Sequence, residues 1–147
     1  MAYEPHLPAI AAVIQLAVAP VFMLTAVGTL INALNIRLGR AVDRRRDLEE
    51  RVLPRVPADE KSSAHHELHV IAQRIRFVYY SILAAVVSGL FICLLIACAF
   101  IGAFVAGDLS RTIAAMFSLA VMALIVSLLL FLREIFLAVS TPRHIPR

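Results

Sequence analysis

Charge is what this chain lacks over most of its length. No Asp, Glu, Lys or Arg occurs from Pro5 through Ile36, from Phe77 through Gly107, or from Thr112 through Leu132. A bilayer core takes about 20 apolar residues of helix, and all three stretches reach that. Barrel strands would alternate and be about half as long, so they are excluded. Cysteine is scarce. Cys93 and Cys98 are the only two, and a spacing of five is neither a metal nor a redox motif. They read as small packing residues in a helix. Met1 to Leu7 holds Glu4 and no Lys or Arg, so the basic n-region of a signal peptide is missing. The first apolar run also exceeds an h-region, and it is expected to stay in the mature protein. No P-loop, dinucleotide fingerprint, repeat or low-complexity segment occurs.

What is there is apolar. The chain has 147 residues, 61% of them hydrophobic and 16% charged. A soluble domain sits nearer half apolar and a quarter charged. So short a chain cannot hide the excess from water, and lipid is the better solvent for it. The expected fold is an all-α integral membrane protein forming one domain over 1–147. Its three spans cover about 9–36, 77–106 and 112–133. Helices one and two extend into a cytoplasmic antiparallel hairpin over about 37–76.

Lys and Arg set the orientation. Ten lie between Arg37 and Arg76, three in the tail (Arg133, Arg143 and Arg147), one at Arg111, and none at the N-terminus. The positive-inside rule puts hairpin and tail in the cytoplasm and the N-terminus outside. The net charge of +4 is thus a topology signal. Seven acids, from Asp43 to Glu67, are interleaved with the bases, which argues against nucleic acid as a partner.

Local signals place the helix ends. Pro8 suits a first turn, and Pro20 should kink helix one. Good helix formers then run from Arg37 to Val52, with Arg46–Glu50 and Asp47–Arg51 as ion pairs at spacing four. Pro54 and Pro57 end that helix. Ser62 or Ser63 is the expected cap of the next one. Leu68, Ile71, Ile75 and Tyr79 would pack it back on helix one. Gly107, Asp108 and Ser110 form an external turn, and the tail from Ser140 frays.

The candidate site is a polar stripe on helix one. Thr25, Gly28, Thr29, Asn32 and Asn35, continued by Gly39 and Asp43, fall on one third of the helix surface at about 100° per residue. Polar side chains in hydrocarbon are costly unless they face protein or water. Two readings follow. The stripe lines a water path at the centre of an oligomer, with Arg37, Arg40 and Asp43 ringing its cytoplasmic mouth. Or it is helix glue, with Thr and Asn bonding across helices and Gly allowing close approach. Three helices cannot enclose a pore, so the first reading requires self-assembly.

Other features read as structure. Ser81, Ala85, Ser88 and Gly89, then Ala99, Ala103 and Gly107, are a small-residue stripe for helix packing. His65 and His69 share a face at spacing four, but the zinc-protease pattern fails at Val70 and no Cys is near. They read as a solvated helix start, and no metal is expected. Arg133 and Glu134 read as an interfacial anchor and a local ion pair. With no charge deep in a span, a proton relay is disfavoured.

The run Ile14 to Leu34, "IQLAVAPVFMLTAVGTLINAL", is followed by "NIRLGRAVDRRRDLE". "GDLS" follows at Gly107 to Ser110 and "LLLFLREIFLAV" at Leu128 to Val139. With these segments the chain resembles the bacterial membrane family known as domain of unknown function 2721, over about Ile10 to Val139. The resemblance implies an inner-membrane protein of the same three-helix plan, and no activity.

The functional expectation is a homo-oligomeric protein of the bacterial inner membrane, an ion channel or pore lined by the first helix. The alternative is a non-conducting scaffold or regulatory protein that acts on a cytoplasmic partner through its hairpin. Membrane lipids and further copies of the chain are the expected partners. An enzyme is not expected, since no nucleophile with a base and no embedded acid pair stands out. No cofactor or catalytic residue is expected.

Overall fold

The structure is a computed structural model and describes residues 6–55, 57, 61–102 and 109–140. Three helices account for nearly all of them: α1 (His6–Asp47), α2 (Lys61–Gly102) and α3 (Ser110–Ser140). There is no strand among the described residues. Three helical stretches are long and apolar enough to cross a membrane: Ala17–Arg51, which runs past the end of α1, then Ala64–Gly102 in α2 and Ser110–Ala138 in α3. At 1.5 Å per residue, the 42-residue α1 and α2 are each about 63 Å long, roughly twice a hydrocarbon core.

The helix ends differ from expectation in small ways with physical causes. α1 is described from His6, and Pro8 lies in its first turn as expected. Prolines in a first turn cost nothing, because the N–H they lack would have no intrahelical partner there. The helix passes Pro20 without a break, and that residue is buried. α1 gives way at Leu48 to a π-helical turn, Leu48–Val52, in which Leu53 N–H reaches the Leu48 carbonyl at 2.9 Å. Pro54 follows, and its ring crowds the carbonyl four residues back, so a wider last turn suits the exit. α2 starts at Lys61, so Ser62 and Ser63 sit inside its first turn and neither is its cap. Ala103, Gly107 and Asp108, and the tail beyond Ser140, lie outside the described residues.

Burial repeats every seven residues. On α1 the buried positions are Pro20, Val27 and Leu34, with Leu48 in the turn that follows; on α3 they are Ala120, Ser127 and Glu134. α2 carries two such rows, Ile71, Val78, Ala85 and Ile92, and Ser81, Ser88 and Leu95. A seven-residue period is the signature of knobs-into-holes packing. Two rows on α2 let it serve two neighbours at once. Tyr79 belongs to neither row and is exposed, so Val78, not Tyr79, continues the packing face from Ile71.

The chain forms two compact units, and each helix contributes to both. In the first (Met1–Ile31 and Ala84–Ile125), Val27, Ala85, Ile92, Leu95 and Ala120 form the core. Gly89 faces α1, and a Cβ there would lie 3.6 Å from both Leu24 and Val27, at ordinary contact distance. Ser88 Oγ donates to the Ala120 carbonyl at 2.8 Å. In the second unit (Asn32–Leu83 and Val126–Arg147), Leu34, Ile71, Val78, Ser81 and Ser127 are buried with one charged residue, Glu134. The small-residue stripe of α2 thus serves packing at Ser81, Ala85, Ser88 and Gly89.

Candidate functional site: an arginine-lined cavity and a polar helix face

Glu134 is 2% exposed and holds three helices together inside the second unit. Its Oε2 accepts a hydrogen bond from Arg37 Nη1 of α1 at 2.6 Å. Its Oε1 accepts from Arg74 of α2, at 2.9 Å from Nη2 and 3.3 Å from Nε. The Arg37 guanidinium also lies over the Phe131 ring, 5.1 Å from its centroid. A buried charge costs heavily unless paired, and here each carboxylate oxygen has its own cation. No buried polar side-chain atom lacks a partner among the described residues.

This corrects the reading of Arg133 and Glu134 as a local pair. Neighbours on a helix point about 100° apart. Glu134 turns inward on the row of Ala120 and Ser127. Arg133 turns outward, and its guanidinium lies over Phe77 at 4.8 Å, a cation–π contact. The sequence carried the clue: Glu134 is the only acid after Asp108, seven residues beyond Ser127.

Around Glu134 lies a cavity of about 280 Å³, bordered by Arg37, Arg40, Arg44, Arg74, Ala41, Ile71 and Ala138. Arg44 Nη2 reaches Glu67 Oε1 of α2 at 2.9 Å, and its Nη1 lies 3.8 Å from Asp47. Arg37, expected in a ring with Arg40 and Asp43, pairs with Glu134. Arg40 borders the same cavity, while Asp43 is exposed. Among the described residues neither Arg40 nor Asp43 makes an ion pair. The expected pairs Arg46–Glu50 and Asp47–Arg51 form, at 2.9 and 3.5 Å, on exposed surface.

The polar stripe lies on the exposed side of α1. In the first unit Thr25, Gly28 and Thr29 are exposed. Thr25 and Thr29 donate to the carbonyls of Val21 and Thr25, at 3.3 and 3.0 Å, so their hydroxyls are served by their own helix. In the second unit Asn32 and Asn35 are exposed, and no other described residue hydrogen-bonds their side chains. At Gly28 and Gly39 a Cβ would meet nothing within 4 Å. Among the described residues the stripe makes no side-chain hydrogen bond to another helix. His65, His66 and His69 are exposed, and no cluster of three metal-ligating side chains occurs among the described residues. Cys93 is exposed and Cys98 partly so, and both are free thiols.

Three apolar helices of spanning length, packed through heptad rows and small residues, define the class: a multi-pass, all-helical membrane protein. The chain belongs to the family described as Protein of unknown function (DUF2721), whose model matches residues 17–144. No curated protein and no solved structure matches it.

Proposed function

We propose that the protein is a homo-oligomer of the bacterial inner membrane whose first helices meet through their polar faces around a common axis and line a path for ions. The N-terminus lies outside, and the hairpin of residues 37–76 and the C-terminus lie in the cytoplasm. The carrying observation is that Thr25, Gly28, Thr29, Asn32 and Asn35 are all exposed, with the two asparagine amides unserved by any other described residue. Amides facing hydrocarbon are costly, and a second copy or water removes that cost. Arg40 and Asp43 stand near the cytoplasmic mouth. Neither catalysis nor a cofactor is part of this reading.

Native mass spectrometry of the protein in nanodiscs tests it first. A ring of four or more copies supports an axial path, and a monomer or dimer removes it. Flux through proteoliposomes follows, with Asn32→Leu expected to reduce it. An unchanged flux means that Asn32 does not line the path.

The alternative is a non-conducting scaffold that binds a cytoplasmic protein through the hairpin. It is favoured by Thr25 and Thr29, whose hydroxyls are satisfied on α1 itself and so tolerate lipid. Deleting residues 54–63 separates the two: a partner complex is lost, while a pore survives.

A further inference from the structure

We infer that the cavity bordered by Arg37, Arg40, Arg44 and Arg74 binds a phosphate-bearing anion, supplied by a lipid headgroup or free in solution. Charge imbalance is the first reason. Among the described residues, four guanidiniums border the cavity and Glu134 is the one acid that does. Both Glu134 oxygens are already taken, one by Arg37 and one by Arg74. Arg44 has Glu67 and Asp47, whereas Arg40 has no acid partner among the described residues. A partly enclosed excess of positive charge calls for a counter-anion. Guanidinium forks match phosphate oxygens in particular, because two parallel N–H donors meet two acceptors.

Position is the second reason. Arg37 directly follows Ile36, the last residue of a charge-free stretch. Arg74 lies three residues before Phe77, where the next begins, and Glu134 two residues after Leu132, where the third ends. All three helices therefore cross from apolar to charged sequence at the cavity. In a bilayer that is the depth of the phosphate groups, whichever face is cytoplasmic. The remaining walls, Ala41, Ile71 and Ala138, are apolar and suit a glycerol backbone or the start of an acyl chain. The inference rests on the chain spanning a bilayer and is independent of any pore.

Full-length protein in detergent is titrated by native mass spectrometry with phosphatidylglycerol, phosphatidylcholine and inorganic phosphate. Phosphatidylglycerol is expected to bind more tightly than phosphatidylcholine. Arg40→Gln should weaken it about fivefold, the worth of one basic residue near such a surface. Arg46→Gln is the control, because Arg46 is exposed and turned to Glu50. It should leave binding unchanged. Arg40 is exposed and makes no ion pair or hydrogen bond to another element among the described residues, so the variant's unfolding midpoint should match the parent's and show that it is folded. If inorganic phosphate displaces the lipid and binds alone, the anion is a free one; if it does neither, the anion is the headgroup. The inference is overturned if the two lipids bind alike and phosphate does not bind, or if the two variants weaken binding equally, which would mean diffuse surface charge. Failure of the bilayer reading shows separately, as a chain that stays in water without detergent or vesicles.

Discussion

Ser81 and Ser127 exchange hydrogen bonds between α2 and α3. Ser81 Oγ donates to the Ser127 carbonyl at 2.7 Å, and Ser127 Oγ donates to the Ser81 carbonyl at 2.8 Å. The two hydroxyl oxygens are 3.1 Å apart, and both residues are fully buried. Such a reciprocal pair needs backbones close enough for a one-carbon side chain to cross. In lipid, helices gain little by hiding apolar surface from one another, so close packing and these bonds carry the association.

Two substitutions separate those contributions. Ser81→Ala keeps the close approach and the bond from Ser127 Oγ to the carbonyl at 81, loses the bond that Ser81 Oγ donates, and should cost about 0.6 kcal/mol, the average for such bonds in membrane helices. Ser81→Leu adds bulk where there is no room, and should cost about 1–3 kcal/mol. Reversible unfolding in mixed micelles measures both. A leucine variant as stable as the parent would show that the helices are not held this closely.

The three helices were legible because charge is excluded from hydrocarbon, and 147 residues carry three long charge-free runs. The packing stripe Ser81, Ala85, Ser88 and Gly89 was legible for a related reason, since small residues are where helices approach. The direction of individual side chains was less so. Steps of four from Ile71 lead to Tyr79. Each such step drifts 40° around a helix with 100° per residue, so two steps leave the face, and Val78 at seven does not. Adjacency in sequence pairs Glu134 with Arg133, whereas the seven-residue register with Ala120 and Ser127 turns it inward. Its partners, Arg37 and Arg74, are 97 and 60 residues away, and no local pattern links them.

Removing the Glu134 charge should be the most disruptive polar change in the second unit. Glu134→Gln leaves two arginines facing each other across a buried position. Deleting one partner of a fully buried pair costs about 3–5 kcal/mol. Arg37 and Arg74 are 36% and 29% exposed, so water softens the loss to about 2 kcal/mol. A double-mutant cycle in the same unfolding assay checks the cause. Coupling between Glu134→Gln and Arg74→Gln should exceed about 0.5 kcal/mol, whereas Arg46→Gln should add independently. Additivity in both cases would show that the triad does not act as a unit.

Gly89 should tolerate one carbon and no more. The Cβ of Gly89→Ala would lie 3.6 Å from Leu24 and Val27, an ordinary contact distance, and alanine removes the helix cost of glycine. The variant should therefore be neutral or more stable by up to about 1 kcal/mol. Gly89→Leu must push Leu24 and Val27 aside and should unfold at lower denaturant. If leucine is accepted as readily as alanine, α1 does not pack on α2 at this position.

The exposed polar face of α1 makes a prediction that requires no assay of flux. With Cys93 and Cys98 replaced by alanine, a single cysteine can report which surfaces meet between copies. Asn32→Cys sits on the polar face, Leu34→Cys on the buried row, and Leu129→Cys on an exposed apolar position of α3 that is 59% accessible. If first helices surround a water path, a bifunctional maleimide with a short spacer should link Asn32→Cys copies in membranes. Leu34→Cys should not react, and Leu129→Cys should stay monomeric. A direct disulfide requires Cβ atoms about 3.8 Å apart. Its ready formation at Asn32→Cys would mean that the faces are packed together with no water between them, which is the glue reading moved from within the chain to between copies. No link of either kind at Asn32→Cys, with the thiol still reactive to a single maleimide, would mean that the stripe meets neither another copy nor an axis.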